Sequence, residues 1–252
     1  MTSTFKVAVA GGTGVVGRHV VAVLRRSGCE SVTLSRGSGV DLTDARAVGA
    51  AVTGCQAVID VASVQTLSAK STVRFFGNVT RNLLAAEEQQ GVGHHVALSI
   101  VGVPSAPFGY YAGKKVQEDL VSASRGGWTI LRATQFHEFA AQTAARGRLG
   151  GLVAAPKGRT QPVAAAEVAE ELVALALGSP RGFAGEIGGP EERELPELVR
   201  RYLGAVGDRS RVLAIPLPGG MGRAMRAGTL LPSAGAKLGV QTFEEWLATV
   251  SA

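Results

Sequence analysis

The sequence predicts an α/β protein built on a doubly wound parallel sheet, with a smaller carboxy-terminal portion. Three observations carry that expectation. Short apolar runs alternate with segments of helical periodicity through the first 147 residues, the pattern of successive β-α-β units. The runs are apolar on both faces, as in Ala57-Val58-Ile59 before Asp60 and in Val61-Ala62, which fits strands covered by helices on each side. Finally, Val7 to Arg18 reads V-A-V-A-G-G-T-G-V-V-G-R, joining an apolar strand, a glycine-studded turn and a helix start without interruption.

Taken in order, strands are expected near 5–10, 31–35, 57–62, 94–99 and 128–132, and helices near 14–27, 43–53, 72–90, 111–125 and 135–145. After residue 147 the texture changes to Gly- and Pro-rich turns, at Gly147 to Gly151, Gly188 to Pro190 and Pro216 to Gly220. The expected division is therefore a dinucleotide-binding portion over 1–147 and a substrate-binding portion over 148–252, partly integrated with the sheet. Within the latter, 163–177 and 195–203 read as helices, Pro196 suits a helix first turn, and Thr242 with Glu245 forms a capping box before a last helix carrying Trp246.

A chain of 252 residues can bury a full core. No run reaches the roughly 18 to 20 apolar residues that span a bilayer, so no membrane partner is expected. Met1 to Phe5 lead almost directly into the first strand, leaving no room for a secretory leader. The expected location is cytoplasmic, and Cys29 and Cys55 are expected as reduced thiols. The net charge of +6 is scattered, and aromatic residues make up only 5% of the chain, so the interleaved basic and aromatic surface of a nucleic-acid binder is not expected. His94 and His95 are adjacent on a strand and point to opposite faces, so they cannot chelate one ion, and no metal site is expected.

The glycine-studded turn is a candidate phosphate cradle formed by Gly11, Gly12, Thr13, Gly14, Val15, Val16 and Gly17. Gly11 permits the tight turn, Gly14 lets a pyrophosphate approach the backbone, and Gly17 lets the helix lie close on its strand. The first helical N–H groups face the anion. The second strand ends in Thr33-Leu34-Ser35-Arg36, where a dinucleotide fold discriminates its cofactor. An arginine with a neighbouring hydroxyl fits a ribose 2′-phosphate, so Ser35 and Arg36 favour NADP, with NAD the alternative. Asp41 and Leu42 are candidates for the adenine edge, and Val61 and Ala62 for the third strand's end of the same site.

Tyr110-Tyr111-Ala112-Gly113-Lys114-Lys115 holds two overlapping Tyr-x-x-x-Lys pairs. Residues four apart share a helical face. A lysine ammonium beside a tyrosine makes the phenol a better proton donor near neutral pH, and it can also bond a nicotinamide ribose. His137 and Glu138, after the strand near 128–132, are further candidates for a polar substrate group.

In order and approximate spacing, the glycine turn, Ser99-Ile100-Val101-Gly102 and Tyr110-x-x-x-Lys114-x-x-x-Glu118 resemble the short-chain dehydrogenase/reductase superfamily. Thr80-Arg81-Asn82-Leu83-Leu84, Leu131-Arg132-Ala133-Thr134-Gln135-Phe136 and Gly188-Gly189-Pro190-Glu191 look like its atypical, NmrA-like NAD(P)-binding members, which are related to nucleotide-sugar epimerases. The resemblance implies a Rossmann-type domain, a tyrosine acid/base, a lysine and a substrate-orienting serine. Carried across, these are Tyr110, Lys114 and Ser99, Tyr110 being preferred over Tyr111 because that register sets Glu118 where extended members also carry an acid. The family's active-site asparagine has no assigned counterpart, although Asn78 and Asn82 lie in the corresponding helix.

The leading expectation is an NADP-dependent oxidoreductase reducing a small carbonyl-type substrate, as a monomer or homodimer. The alternatives are an NAD(P)-binding redox-sensing regulator without turnover and an enzyme of the nucleotide-sugar epimerase or dehydratase type.

Overall fold

A computed structural model describes residues 4–250; Met1 to Ser3, part of the expected leaderless start, lie outside the described residues. In chain order the elements begin β1 (Lys6–Ala10), α1 (Val15–Arg26), β2 (Glu30–Leu34), α2 (Ala45–Ala51), β3 (Ala57–Asp60), α3 (Ala69–Gln90), β4 (His94–Ile100), α4 (Tyr110–Ser122) and β5 (Gly127–Ala133). There follow α5 (Phe139–Arg146), β6 (Arg148–Leu149), β7 (Leu152–Pro156), β8 (Arg159–Thr160), α6 (Ala165–Ala176), β9 (Gly182–Gly188) and β10 (Arg193–Glu194). The last are α7 (Leu195–Ala205), β11 (Arg211–Ile215), α8 (Gly219–Ala227), β12 (Lys237–Leu238) and α9 (Phe243–Val250).

Seven strands form the main sheet in the order β12-β9-β5-β4-β3-β1-β2. The β1–β2, β1–β3, β3–β4 and β9–β12 pairs are parallel. From β1 the chain runs outward to β2 and then returns to β3 on the other side, so the strand order reverses at β1. Such a reversal opens a crevice at the carboxyl ends of the strands, where ligands of doubly wound folds bind.

The chain groups into two compact units, each assembled from separate stretches. One comprises residues 1–99, 109–132 and 165–185; the other comprises 100–108, 133–164 and 186–252. The change of sequence texture at 147 therefore does not coincide with a unit boundary. Helix α6, in the Gly- and Pro-rich half of the sequence, belongs to the first unit and packs on α1.

In the first unit Val7, Ala8, Val9 and Ala10 are fully buried, so β1 is covered on both faces as its unbroken apolar run requires. A core cluster joins Leu34, Val48, Val58, Val79 and Leu83 beneath α2 and α3. Each fully buried aliphatic side chain contributes roughly 1.5–3 kcal/mol. Helix α3 is N-capped by Ser68 and stops at Gly91, which takes a left-handed conformation. Against it lies α4, and the approach is close: a Cβ on Gly113 would fall 2.6 Å from Phe76 Cδ2 and 2.7 Å from Thr72 Cβ. Only a glycine fits there.

The second unit holds a three-stranded sheet, β11-β7-β6, and the antiparallel pair β8–β10. Its α5, α7 and α9 bury Ala140, Leu198, Phe243 and Leu247 together. The expected capping box forms, Glu245 N–H donating to Thr242 Oγ1 at 3.2 Å and Thr242 N–H to Glu245 Oε2 at 2.8 Å. Pro196 occupies the first turn of α7. Met225 and Leu230 are buried in this unit.

Several elements were not anticipated from the sequence, among them β7, β11 and α8 of the second unit, and β9 departs furthest from its local pattern. Strand β9, G-F-A-G-E-I-G, carries three glycines and no apolar run. Its strand form comes from sheet neighbours rather than from its own propensity.

Candidate cofactor and active site

The carboxyl ends of β1, β2 and β3 converge on the glycine turn. Gly11 N–H donates to Leu34 O at 2.8 Å, and Val61 N–H donates to Ala10 O at 2.9 Å. Gly11 has φ +82°, and a Cβ there would lie 2.8 Å from Val61 O and 2.9 Å from Ala62 Cα. Gly11, Val61 and Ala62, separate candidates in the sequence, are thus brought together. A Cβ on Gly17 would sit 2.1 Å from Gly11 O, so the first turn of α1 can rest on the loop only with glycine at that position. Gly14 is the N-cap of α1, with no side-chain cap and no acidic residue in the first turn. The helix start is left to an external anion, which its N–H groups and dipole favour. These residues fit a dinucleotide pyrophosphate.

Beside the loop, Ser35 and Ser38 cap each other. Ser38 N–H donates to Ser35 Oγ at 3.2 Å and Ser35 N–H to Ser38 Oγ at 3.0 Å, fixing the short turn that displays exposed Arg36. Thr13 lies against this turn, 3.9 Å from where a Cβ on Gly37 would stand. Asp41 is turned to local work: its Oδ1 accepts from Thr43 N–H at 2.8 Å and Thr43 Oγ1 at 2.7 Å. Those bonds, with the Arg36 charge, hold its carboxyl below the usual range. Leu42 is buried, and Asn82 Nδ2 donates to its carbonyl at 3.0 Å.

Helix α4 holds the catalytic candidates. Tyr110 is half-buried; its ring meets Phe76 edge-on at 5.5 Å, and its phenol lies 2.9 Å from Ser63 Oγ. Lys114, one turn on, points into the protein. It is 4% exposed, donates to Leu98 O and to Gln117 Oε1, both at 2.8 Å, and stands 4.5 Å over the Phe76 ring. Gln117 in turn donates to Oδ2 of fully buried Asp60 at 2.7 Å. Burial brings the Lys114 ammonium down to about 8, with Asp60 and Glu118 opposing the shift.

Ser99 is 1% exposed and donates to Glu118 Oε1 at 2.5 Å. Both Glu118 oxygens are held by Arg132, Nε to Oε1 at 2.9 Å and Nη2 to Oε2 at 2.7 Å. Tyr110 and Lys114 therefore share the Phe76 ring, whereas Ser99 is tied into a separate network with Glu118 and Arg132. Sequence reasoning missed Ser63 and Gln117. Their signals were available in hindsight: Ser63 directly follows the Val61-Ala62 strand end, and Gln117 lies seven residues after Tyr110, two helical turns along the same face.

Two of the histidines are tied into buried contacts on β4. His94 Nε2 meets Thr129 Oγ1 at 2.8 Å, while His95 Nδ1 meets Glu87 Oε1 at 2.7 Å in a buried pair. Burial works against the charged form of His95, but the Glu87 carboxylate prevails and raises its pKa. In the second unit His137 is buried beside Phe243 and Trp246. That unit also has a cavity of about 440 Å³ where Lys157, Arg159, Arg200 and Arg226 face Glu194 and Glu197. No group of three metal-ligating side chains occurs among the described residues, and no helix among them is long and apolar enough to cross a membrane.

Several solved structures share this fold. An NADPH-dependent quinone oxidoreductase from Escherichia coli, solved with NADPH, superposes with a TM-score of 0.73 at 17% identity, covering 98% of this chain and 100% of that one. A UDP-glucose 4-epimerase from Thermus thermophilus, in complex with NAD, gives 0.67 at 20% identity over 98% and 94%. A short-chain dehydrogenase/reductase superfamily protein from Agrobacterium tumefaciens with bound NAD gives 0.69 at 18% over 98% and 96%. No curated protein sequence matches the chain. The sequence model of the NAD(P)H-binding family matches residues 11–177, more than half of the chain and including the glycine loop and Tyr110 to Lys114. The chain thus belongs to the NAD(P)H-binding family.

Proposed function

We propose that this protein is an NADP-dependent oxidoreductase of the short-chain dehydrogenase/reductase type, reducing a small carbonyl-type substrate. The observation that carries the reading is the presence, in one compact unit, of an uncapped helix start at a glycine loop and a half-buried phenol on α4. When bound, the dinucleotide supplies a hydride to the carbonyl carbon. Gly11 to Gly17 hold its diphosphate, Arg36 favours the ribose 2′-phosphate, and Tyr110 gives its phenolic proton to the substrate oxygen. Lys114 acts from below, fixing the α4 turn and the Phe76 ring that Tyr110 leans on. The Escherichia coli neighbour, an NADPH-dependent quinone oxidoreductase, makes quinones the first substrates to try.

A second reading, a redox-sensing NAD(P)-binding protein without turnover, draws support from the burial of Lys114 and Ser99, since two of the ammonium's three donors and the serine's single one go to protein acceptors. One experiment separates the two. NADPH oxidation is followed by absorbance with a panel of quinones, ketones and imines, and NADPH binding by calorimetry. The enzyme reading expects turnover that Tyr110→Phe abolishes while NADPH affinity stays nearly unchanged. Binding without turnover across the panel favours the sensor.

A further inference from the structure

We infer that Ser63, and not Ser99, is the hydroxyl that joins Tyr110 in holding the substrate oxygen. The inference rests on the proposed reductase reading and names the second catalytic group of that same site. Each serine has a single hydrogen to donate. That of Ser99 goes to the Glu118 carboxylate at 2.5 Å, inside a network closed by Arg132 and almost without exposure. A carboxylate is a stronger acceptor than a carbonyl oxygen, so a ketone gains nothing by competing for it.

Ser63 has the opposite character. It is exposed, and its Oγ lies 2.9 Å from the Tyr110 phenol, with either oxygen able to donate. Two hydroxyls bonded to each other spend one of their hydrogens on the mutual contact. A carbonyl oxygen placed between them receives both, so the contact is exchanged for two donor bonds to a single acceptor. The location suits this role. Ser63 follows Ala62, whose Cα lies against Gly11 of the phosphate loop, at the strand ends where doubly wound folds bind ligands.

The step balances. A C–H bond forms at the carbonyl carbon with the hydride of NADPH, and the C=O π pair moves onto oxygen. The Tyr110 O–H bond breaks to protonate that oxygen, leaving an alcohol, NADP⁺ and a phenolate that regains its proton from water. Ser63 keeps its own hydrogen and donates to the oxygen as negative charge develops there. Losing one such donor lowers kcat by about 10²–10³-fold.

The test uses the full chain with Ser63→Ala, Ser63→Thr and Tyr110→Phe. In the absence of cofactor, the Tyr110 absorbance band is isolated as the difference between the wild type and Tyr110→Phe. Ser63→Ala should shift that band, and Ser63→Thr, which restores a hydroxyl, should return it towards the wild-type position. With NADPH and a carbonyl substrate, Ser63→Ala should lose about 10²-fold or more in kcat with NADPH affinity kept, and Ser63→Thr should recover part of the loss. An unmoved band, or a Ser63→Ala protein with full kcat, overturns the assignment. If Ser63→Ala shifts the band yet the wild-type chain turns over no carbonyl, the proposed reductase function and the role of Ser63 fall together, while the hydroxyl contact itself stands.

Discussion

The glycine loop and helix α4 solve opposite problems a few residues from the same strand ends. At the start of α1 the helix presents backbone donors with no side-chain cap: Gly14 brings none, and the first turn has no acid. On α4 nearly every polar group has a protein partner, from Lys114 through Gln117 to Asp60 and from Ser99 through Glu118 to Arg132. The difference teaches that the proposed dinucleotide site is shaped by backbone geometry, which needs small residues, whereas the α4 side chains are placed by buried networks, which need satisfied ones. A substitution at the first should cost affinity and one at the second stability.

The harshest way to break that contrast is Gly17→Val. A side chain placed 2.1 Å from Gly11 O must displace the loop or the helix. NAD(P)H affinity should fall by roughly 100-fold or more, since a shift of about 1 Å in a positioned group has effects of that order; calorimetry measures it. Next is Glu118→Gln, which leaves Arg132 facing a neutral amide. Arg132 is about one-fifth exposed, so weakening this part-buried pair should cost about 1–3 kcal/mol, read by urea unfolding, and NADPH affinity in the surviving folded protein should be unaffected. Unchanged stability would show that the α4 network is ornamental.

A smaller effect sharpens the comparison at the loop's rim. Arg36→Ala should weaken NADPH by about tenfold, the worth of one charge-assisted contact, and leave NADH alone. Equal losses for both dinucleotides would remove Arg36 from the 2′-phosphate. The smallest effect is a slope. Because Lys114 in the folded protein is lowered to about 8 from 10.5, the unfolded chain binds more protons between those values. Stability relative to Lys114→Met should therefore rise with pH across that window. A flat or falling difference would mean that the ammonium is not buried.

What the sequence made legible follows the same line. The loop was readable because its function resides in residue identity: Gly11 and Gly17 are required by positions that a Cβ cannot share. The strands β1 to β5 were readable within a residue or two because each carries apolar or β-branched residues between segments of helical periodicity. Strand β9 was not, since its glycines offer no pattern and its conformation is imposed by neighbours. The interleaving of the two units was hidden too, as the affinity of α6 for α1 depends on faces that meet only after folding. At α4 the helix and its Tyr-x-x-x-Lys spacing were visible, but spacing does not say which way a side chain is drawn. Leu98 O and Gln117 draw Lys114 inward, and the hydroxyl of Ser99 is committed to Glu118.

Phe76 underlies both sides of this account. Its face carries the Lys114 ammonium, its edge meets Tyr110, and its ring leaves no space at Gly113 for even a methyl group. It is thus a fulcrum: trimming that ring would tilt the proposed proton donor and loosen the lysine in one stroke, although phenylalanine itself can exchange no proton. Under the proposed function, tuning of reaction rate in this scaffold can arise from a hydrocarbon that never meets the reactants.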